Sequence, residues 1–256
     1  MLQISREQLA AFDQAGLDDF EDEMVAHSKE FSPRLCEVIG EAQLRVALRQ
    51  AMNRATTYGF TNRGPMRLFI ELIFLCGSAF DTDPQYPAIG EILNSSDDQM
   101  ERAERIREGV LDYLEKVSGP NNVNVRQALE ALSVFARRPM TISSNDFVAG
   151  MRQEMTRAFP QKAAYIKEKG LTTLIHEGRA EAQKYNLSAP RGEALIVVLM
   201  FSFGHGCTSD PLYPWIERTL NDERIIDPAA RSQRLERKST TWLEHVLARP
   251  GQGEQT

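Results

Sequence analysis

Histidine and cysteine close together could make a nucleophile and its base, and the chain offers one such place, Gly204-His205-Gly206-Cys207. A hydrolase built on Cys207 and His205 is therefore one reading. Its weakness is that the segment at residues 77–80 resembles this one in position but carries Ser78 and Phe80, so the pair occurs once. The other histidines, His27, His176 and His245, form no HExxH or HxH spacing and no zinc-type cluster with cysteine, so no metal site is expected. Asp81-Thr82-Asp83 suggests calcium, yet the spaced third ligand, the glycine at position six and the terminal glutamate of an EF-hand loop are missing. Gly204-x-Gly206 lacks the third glycine of a dinucleotide fingerprint and follows a helix-like run. No cofactor is implied and no catalytic set is complete.

Composition agrees with a binding protein more than with an enzyme. The 256 residues are 42% hydrophobic and 26% charged, and the formal charge of -6 gives no reason to expect nucleic acid or an anionic membrane as partner. The basic run Arg231, Arg234, Arg237, Lys238 is interrupted by Glu236 and has no interleaved aromatic residues. Three cysteines, Cys36, Cys76 and Cys207, are an odd number with no CxxC spacing, which suits buried thiols in a reducing compartment. The first 23 residues mix charges of both signs without an apolar core, so no signal peptide is read there. The longest apolar run, Ala194 to Phe201, is far shorter than the roughly 20 residues of a membrane span. A cytoplasmic protein is expected.

The elements that must position these residues repeat. Shifted by 127, Gly77 to Leu93 lies on Gly204 to Leu220 with seven identities in 17, where unrelated segments would share roughly one. The same shift pairs Phe20 with Phe147, Met24 with Met151, Ile39 with Ile166, Leu44 with Leu171, Ala55 with Ala182 and Tyr58 with Tyr185. The expected fold is all-α, with two tandem pseudo-symmetric helical lobes, each around a central apolar helix. The domain reading is residues 1–120 for the first half, 121–139 for a connector, 140–248 for the second half and 249–256 for a disordered tail. The central helices are read at Arg67 to Cys76 and Glu193 to Phe203, each stopped by glycine, Gly77 or Gly204. A buried strand competes for Ile196 to Phe201, but the matching Leu68 to Cys76 carries Glu71 and lacks valine.

Other boundaries follow from end signals. Ser5 opens a capping box and Gly16 is read as the stop of a first short helix, followed by a second from about Leu17 to Lys29. Thr61 and Ser188 are read as starts of the central helices, and Ser118 to Asn124 as the boundary loop. Further helices are read at about Asp97 to Val117, Val123 to Arg137, Asn145 to Ala158 and Pro228 to Ala248. In the shared element Asp-Pro-x-Tyr-Pro, Asp83 and Asp210 are read as N-caps with Pro84 and Pro211 at the first helical position, although Pro87 and Pro214 would then disturb the first turn. The aromatic residues here, Tyr86 beside Pro87 and Tyr213 beside Pro214 and Trp215, have two readings. Large amphipathic rings near a surface turn suit a protein-binding site, and they equally suit covers for the ends of the central helices.

Met24 to Phe31 with Pro33, Ile39-Gly40-Glu41, Arg54-Ala-x-x-Tyr58-Gly59, Phe69 to Gly77, and Phe80-Asp81-x-Asp83-Pro84 with Pro87 together resemble a bacterial family encoded beside spike-tip or effector genes of type VI secretion systems. The resemblance spans nearly the whole chain and rests on structural motifs. It implies an adaptor or co-chaperone that handles a secreted effector, a spike component or a toxin in the producing cell, and it carries over no catalytic residue. The chain departs from the family pattern at Ala88, where tryptophan is usual and where only the second copy, Trp215, has it. An immunity protein that blocks a basic toxin would also fit the acidic balance. The sequence leaves open whether the chain forms a homodimer.

Overall fold

The computed structural model describes residues 6–138, 142–143 and 145–248. Among them are twelve α-helices and no strand: α1 (Arg6–Phe31), α2 (Pro33–Ile39), α3 (Glu41–Thr57), α4 (Arg63–Cys76), α5 (Pro87–Leu93), α6 (Gln99–Tyr113), α7 (Val123–Arg137), α8 (Phe147–Ala158), α9 (Pro160–Lys184), α10 (Pro190–Phe203), α11 (Pro214–Leu220) and α12 (Pro228–Ala248). The all-α expectation holds, and Ile196 to Phe201 is helix. Between α6 and α7 the chain makes a π turn, Leu114–Ser118, and a 3₁₀ turn, Pro120–Asn122.

The buried apolar side chains form two clusters. One gathers residues of α1 to α6 around α4, whose Phe69, Ile70, Leu72 and Ile73 are closed to solvent, and it also takes in Leu212 from far along the chain. The other gathers residues of α7 to α12 around α10, whose Ile196, Val197 and Phe201 are equally closed. Each such side chain contributes about 1.5–3 kcal/mol by leaving water, which is why the two most apolar helices lie innermost.

Several residues 127 apart share a backbone conformation. Gly77 (φ 92°, ψ 158°) and Gly204 (φ 94°, ψ 154°) end α4 and α10. Tyr86 (φ −131°, ψ 50°) and Tyr213 (φ −125°, ψ 52°) precede α5 and α11. Gly40 (φ 76°, ψ 159°) separates α2 from α3, and Lys167 (φ 65°, ψ 168°) kinks α9 at the matching place. Beyond α5 and α11 the spacing becomes 129. Asp98 accepts from the Met100 N–H and Asp227 from the Ala229 and Ala230 N–H groups.

Some boundaries differ from expectation. Helix α1 runs through Gly16, which does not take positive φ, so nothing there turns the chain; a helical glycine costs only about 1 kcal/mol. Thr61 does not cap α4: the cap position is Asn62, and the N–H groups of Thr61 and Asn62 both donate to Gln99 Oε1 of α6. The α10 cap position is Ala189 instead of Ser188, because Pro190 with its fixed φ occupies the first turn. Helices α5 and α11 start at the second prolines, Pro87 and Pro214, so Asp83 and Asp210 are not their N-caps. The boundary segment is folded into its two turns, with Val117 and Ser118 buried and Asn124 donating to the Val117 carbonyl. The segment read as a connector contains α7, which buries Ala128, Leu132 and Ser133. Ser5 and the tail at 249–256 lie outside the described residues.

Candidate functional site

The repeated motifs face each other. A methyl group built on Gly77 would lie 2.3 Å from the Phe203 carbonyl oxygen, and one on Gly204 would lie 2.6 Å from that of Cys76, so the ends of α4 and α10 approach as only glycine permits. The loops beyond are tied reciprocally. Asp83 Oδ2 accepts from the His205 N–H at 2.7 Å, and Asp210 Oδ2 accepts from the Ser78 N–H at 2.8 Å. Each aspartate also closes its own turn through Oδ1, accepting from the Gln85 or Leu212 N–H at 2.8 Å. Both are buried. For Asp210, burial raises the carboxyl above its usual range against the hydrogen bonds from Ser78 and Leu212, which lower it. The reading of Asp83 and Asp210 as caps therefore becomes a turn-closing role with a cross-chain bond added.

On one side this junction is polar. Gln85 donates to Asp83 Oδ2 and to the Met200 carbonyl, both at 3.0 Å, and Lys162 Nζ donates to the Phe201 carbonyl at 2.6 Å while lying 5.0 Å over the Phe201 ring. Burial pushes the Lys162 ammonium down to about 8, with the charges of Asp83 and Cys76 opposing. The matched positions hold Leu35 and Leu212, which pack in the apolar cluster around α4.

The aromatic candidates sit at the same junction. Tyr86 is buried, its ring edge-on to Tyr113 at 5.4 Å, and Tyr113 is in turn edge-on to Tyr165 at 5.0 Å. Tyr86 is thus covered by its own chain and is not on a surface turn as the binding reading required. Tyr213 and Trp215 are half-buried, packed on Phe203 at 4.3 and 6.4 Å, with Trp242 beside Tyr213 at 6.3 Å. Pro87 is exposed and Pro214 half-buried.

Cys207 is fully buried, and burial raises its thiol well above the usual range, which leaves it protonated and unreactive at neutral pH. His205 turns to other groups: Nε2 lies 3.0 Å from Thr82 Oγ1 and Nδ1 lies 3.2 Å from Glu177 Oε2. Arg231 of the basic run is held by the Tyr185 and Ile225 carbonyls. Among the described residues, no three His, Cys, Asp or Glu side chains gather to hold a metal, and no helix is long and apolar enough to cross a membrane.

A concave apolar surface lies away from the residues that the sequence singles out. A cavity of about 360 Å³ opens beside the outer face of α10, lined by Leu195, Val198 and Leu199 of α10, Leu132 and Phe135 of α7, and Leu243 of α12. Its rim is ionic. Arg191 donates through Nε to Glu236 at 2.9 Å and through its terminal nitrogens to the carbonyls of Ala136 (3.1 Å) and Arg138 (3.2 Å), pinning the end of α7 between α10 and α12. The sequence signal was α10 itself, apolar on more sides than a helix with one buried face needs. Comparison with protein-family models, curated proteins and solved structures finds no match to this chain.

Proposed function

We propose that the chain is a non-catalytic accessory factor that binds another protein, an adaptor or co-chaperone for a type VI secretion effector working in the cytoplasm of the producing cell, and that its architecture is two related lobes joined at the Gly77–Gly204 junction. The observation that carries this reading is the apolar cavity with its ionic rim, whose three helices are pinned by Arg191. A cavity of this size with apolar walls suits side chains of an amphipathic helix, which would lay its apolar face on Leu195 and Val198 and its charged flanks on the Arg191–Glu236 rim. Two further features support it. Cys207 is buried, and the junction consumes the Asp-Pro-x-Tyr-Pro motifs in structure.

A photo-crosslinking residue placed at Val198 in producing cells should capture a secreted effector or spike component, and the same residue at exposed Ile226 should not. Equal capture from both positions would overturn the reading. The acidic balance supports a second reading, an immunity protein. Rescue of cells from a co-expressed neighbouring toxin would favour it over the adaptor.

A further inference from the structure

Three side chains from three separate segments form a hydrogen-bonded row across the junction: Glu177 of α9, His205 of the loop after α10, and Thr82 of the loop after α4. The order is carboxylate, imidazole, hydroxyl. When Glu177 Oε2 accepts the Nδ1–H, the lone pair of Nε2 faces the Thr82 hydroxyl, the arrangement that activates an alcohol as nucleophile. Thr82 is exposed, so its oxygen can be reached, and its other acceptor, the Ala79 carbonyl, is farther away at 3.3 Å. The base is held from behind. Asp83 fixes the His205 N–H, and Gly206 sits against Ala79, where an added methyl would come within 2.6 Å of the Ala79 Cβ. The two loops therefore keep nucleophile and base in register. The row occurs once: the positions 127 residues earlier or later are Gln50, Ser78 and Ser209, and Ser209 donates to the Gly206 carbonyl.

We propose that Thr82 is a self-acylation site that takes an acyl group from small activated esters, with His205 as general base and Glu177 as the residue that positions it. Thr82 Oγ1 adds to the ester carbonyl while its proton passes to His205 Nε2. The bond to the leaving alcohol then breaks, the alcohol takes that proton, and the acyl group remains as an ester on Thr82. The Glu177 carboxylate beside the site favours neutral acyl donors over anionic ones.

The test is p-nitrophenyl acetate with the full chain, following nitrophenolate release and the mass of the Thr82 peptide. One acetyl, about 42 Da, should appear on Thr82 and be absent from Thr82→Val. Thr82→Ser should keep it. His205→Gln should slow labelling by about a hundredfold or more, and free imidazole should restore it in His205→Gly. Glu177→Leu should slow labelling without changing thermal unfolding, and the nitrogen NMR signals of His205 should shift from one tautomer to a mixture. Acetyl groups only on lysines, or Thr82 labelling that is unchanged in His205→Gln, would overturn the proposal.

Discussion

Two lysines show what single residues contribute. Lys167 holds φ 65°, ψ 168°, a region that side chains other than glycine enter at a cost of about 1–3 kcal/mol, and its matched residue is Gly40. Its side chain is exposed, so little is lost by removing it. Lys167→Gly should raise the free energy of urea unfolding by about 1 kcal/mol; a loss would mean that the kink is not strained. Lys162 is the opposite case, a buried cation where the matched residue is Leu35. Its folded-state value, about 8, lies below its ordinary 10.5, so the unfolded chain binds more protons between those limits and stability rises with pH there. Below about pH 8 the penalty for the buried charge is fully present. Lys162→Met removes the titrating group, so its stability relative to the parent should fall by about 1.4 kcal/mol per pH unit as pH rises through the window. A difference that stays constant with pH would contradict this account. Neither lysine's role was visible in the sequence, because a lysine reads as a solvated charge until its neighbours are known.

At the scale of elements, the helices were legible where apolar periodicity was strong and their ends were not. The central helices α4 and α10 follow from their apolar runs and from Gly77 and Gly204 behind them. Thr61 misled because its N–H is satisfied by Gln99 from 38 residues away, a tertiary partner that no local rule contains. Gly16 misled because a glycine permits a turn without imposing one. The glycines that end α4 and α10 do more than stop helices, since each has the other helix's last carbonyls where a side chain would be. Gly204→Ala should therefore cost about 2–4 kcal/mol, combining positive φ with a methyl 2.6 Å from the Cys76 carbonyl, whereas alanine at Gly16, in open space within α1, should be neutral or slightly stabilising. Denaturant midpoints of the two variants would show this, and equal midpoints would refute the close approach.

For the whole molecule, the sequence showed that the motif occurs twice but not that its two copies meet. Asp83, Asp210, Tyr86 and Tyr213 meet at one junction, with each aspartate accepting a backbone N–H from across it, and that reciprocity depends on folding residues 127 apart onto each other. The cavity was illegible because its walls come from α7, α10 and α12, and only their packing makes it concave. The central claim is that this cavity binds a helix of a partner protein. Light scattering during size-exclusion chromatography, on the chain co-expressed with the secreted effector proposed as its partner, tests it most directly. The parent chain should elute with the effector at the mass of the complex, and Val198→Glu, a charge on the cavity wall, should leave both proteins folded and separate, a loss of at least about a hundredfold in affinity. A complex that forms equally well with Val198→Glu, or no complex with the parent chain, would contradict the claim.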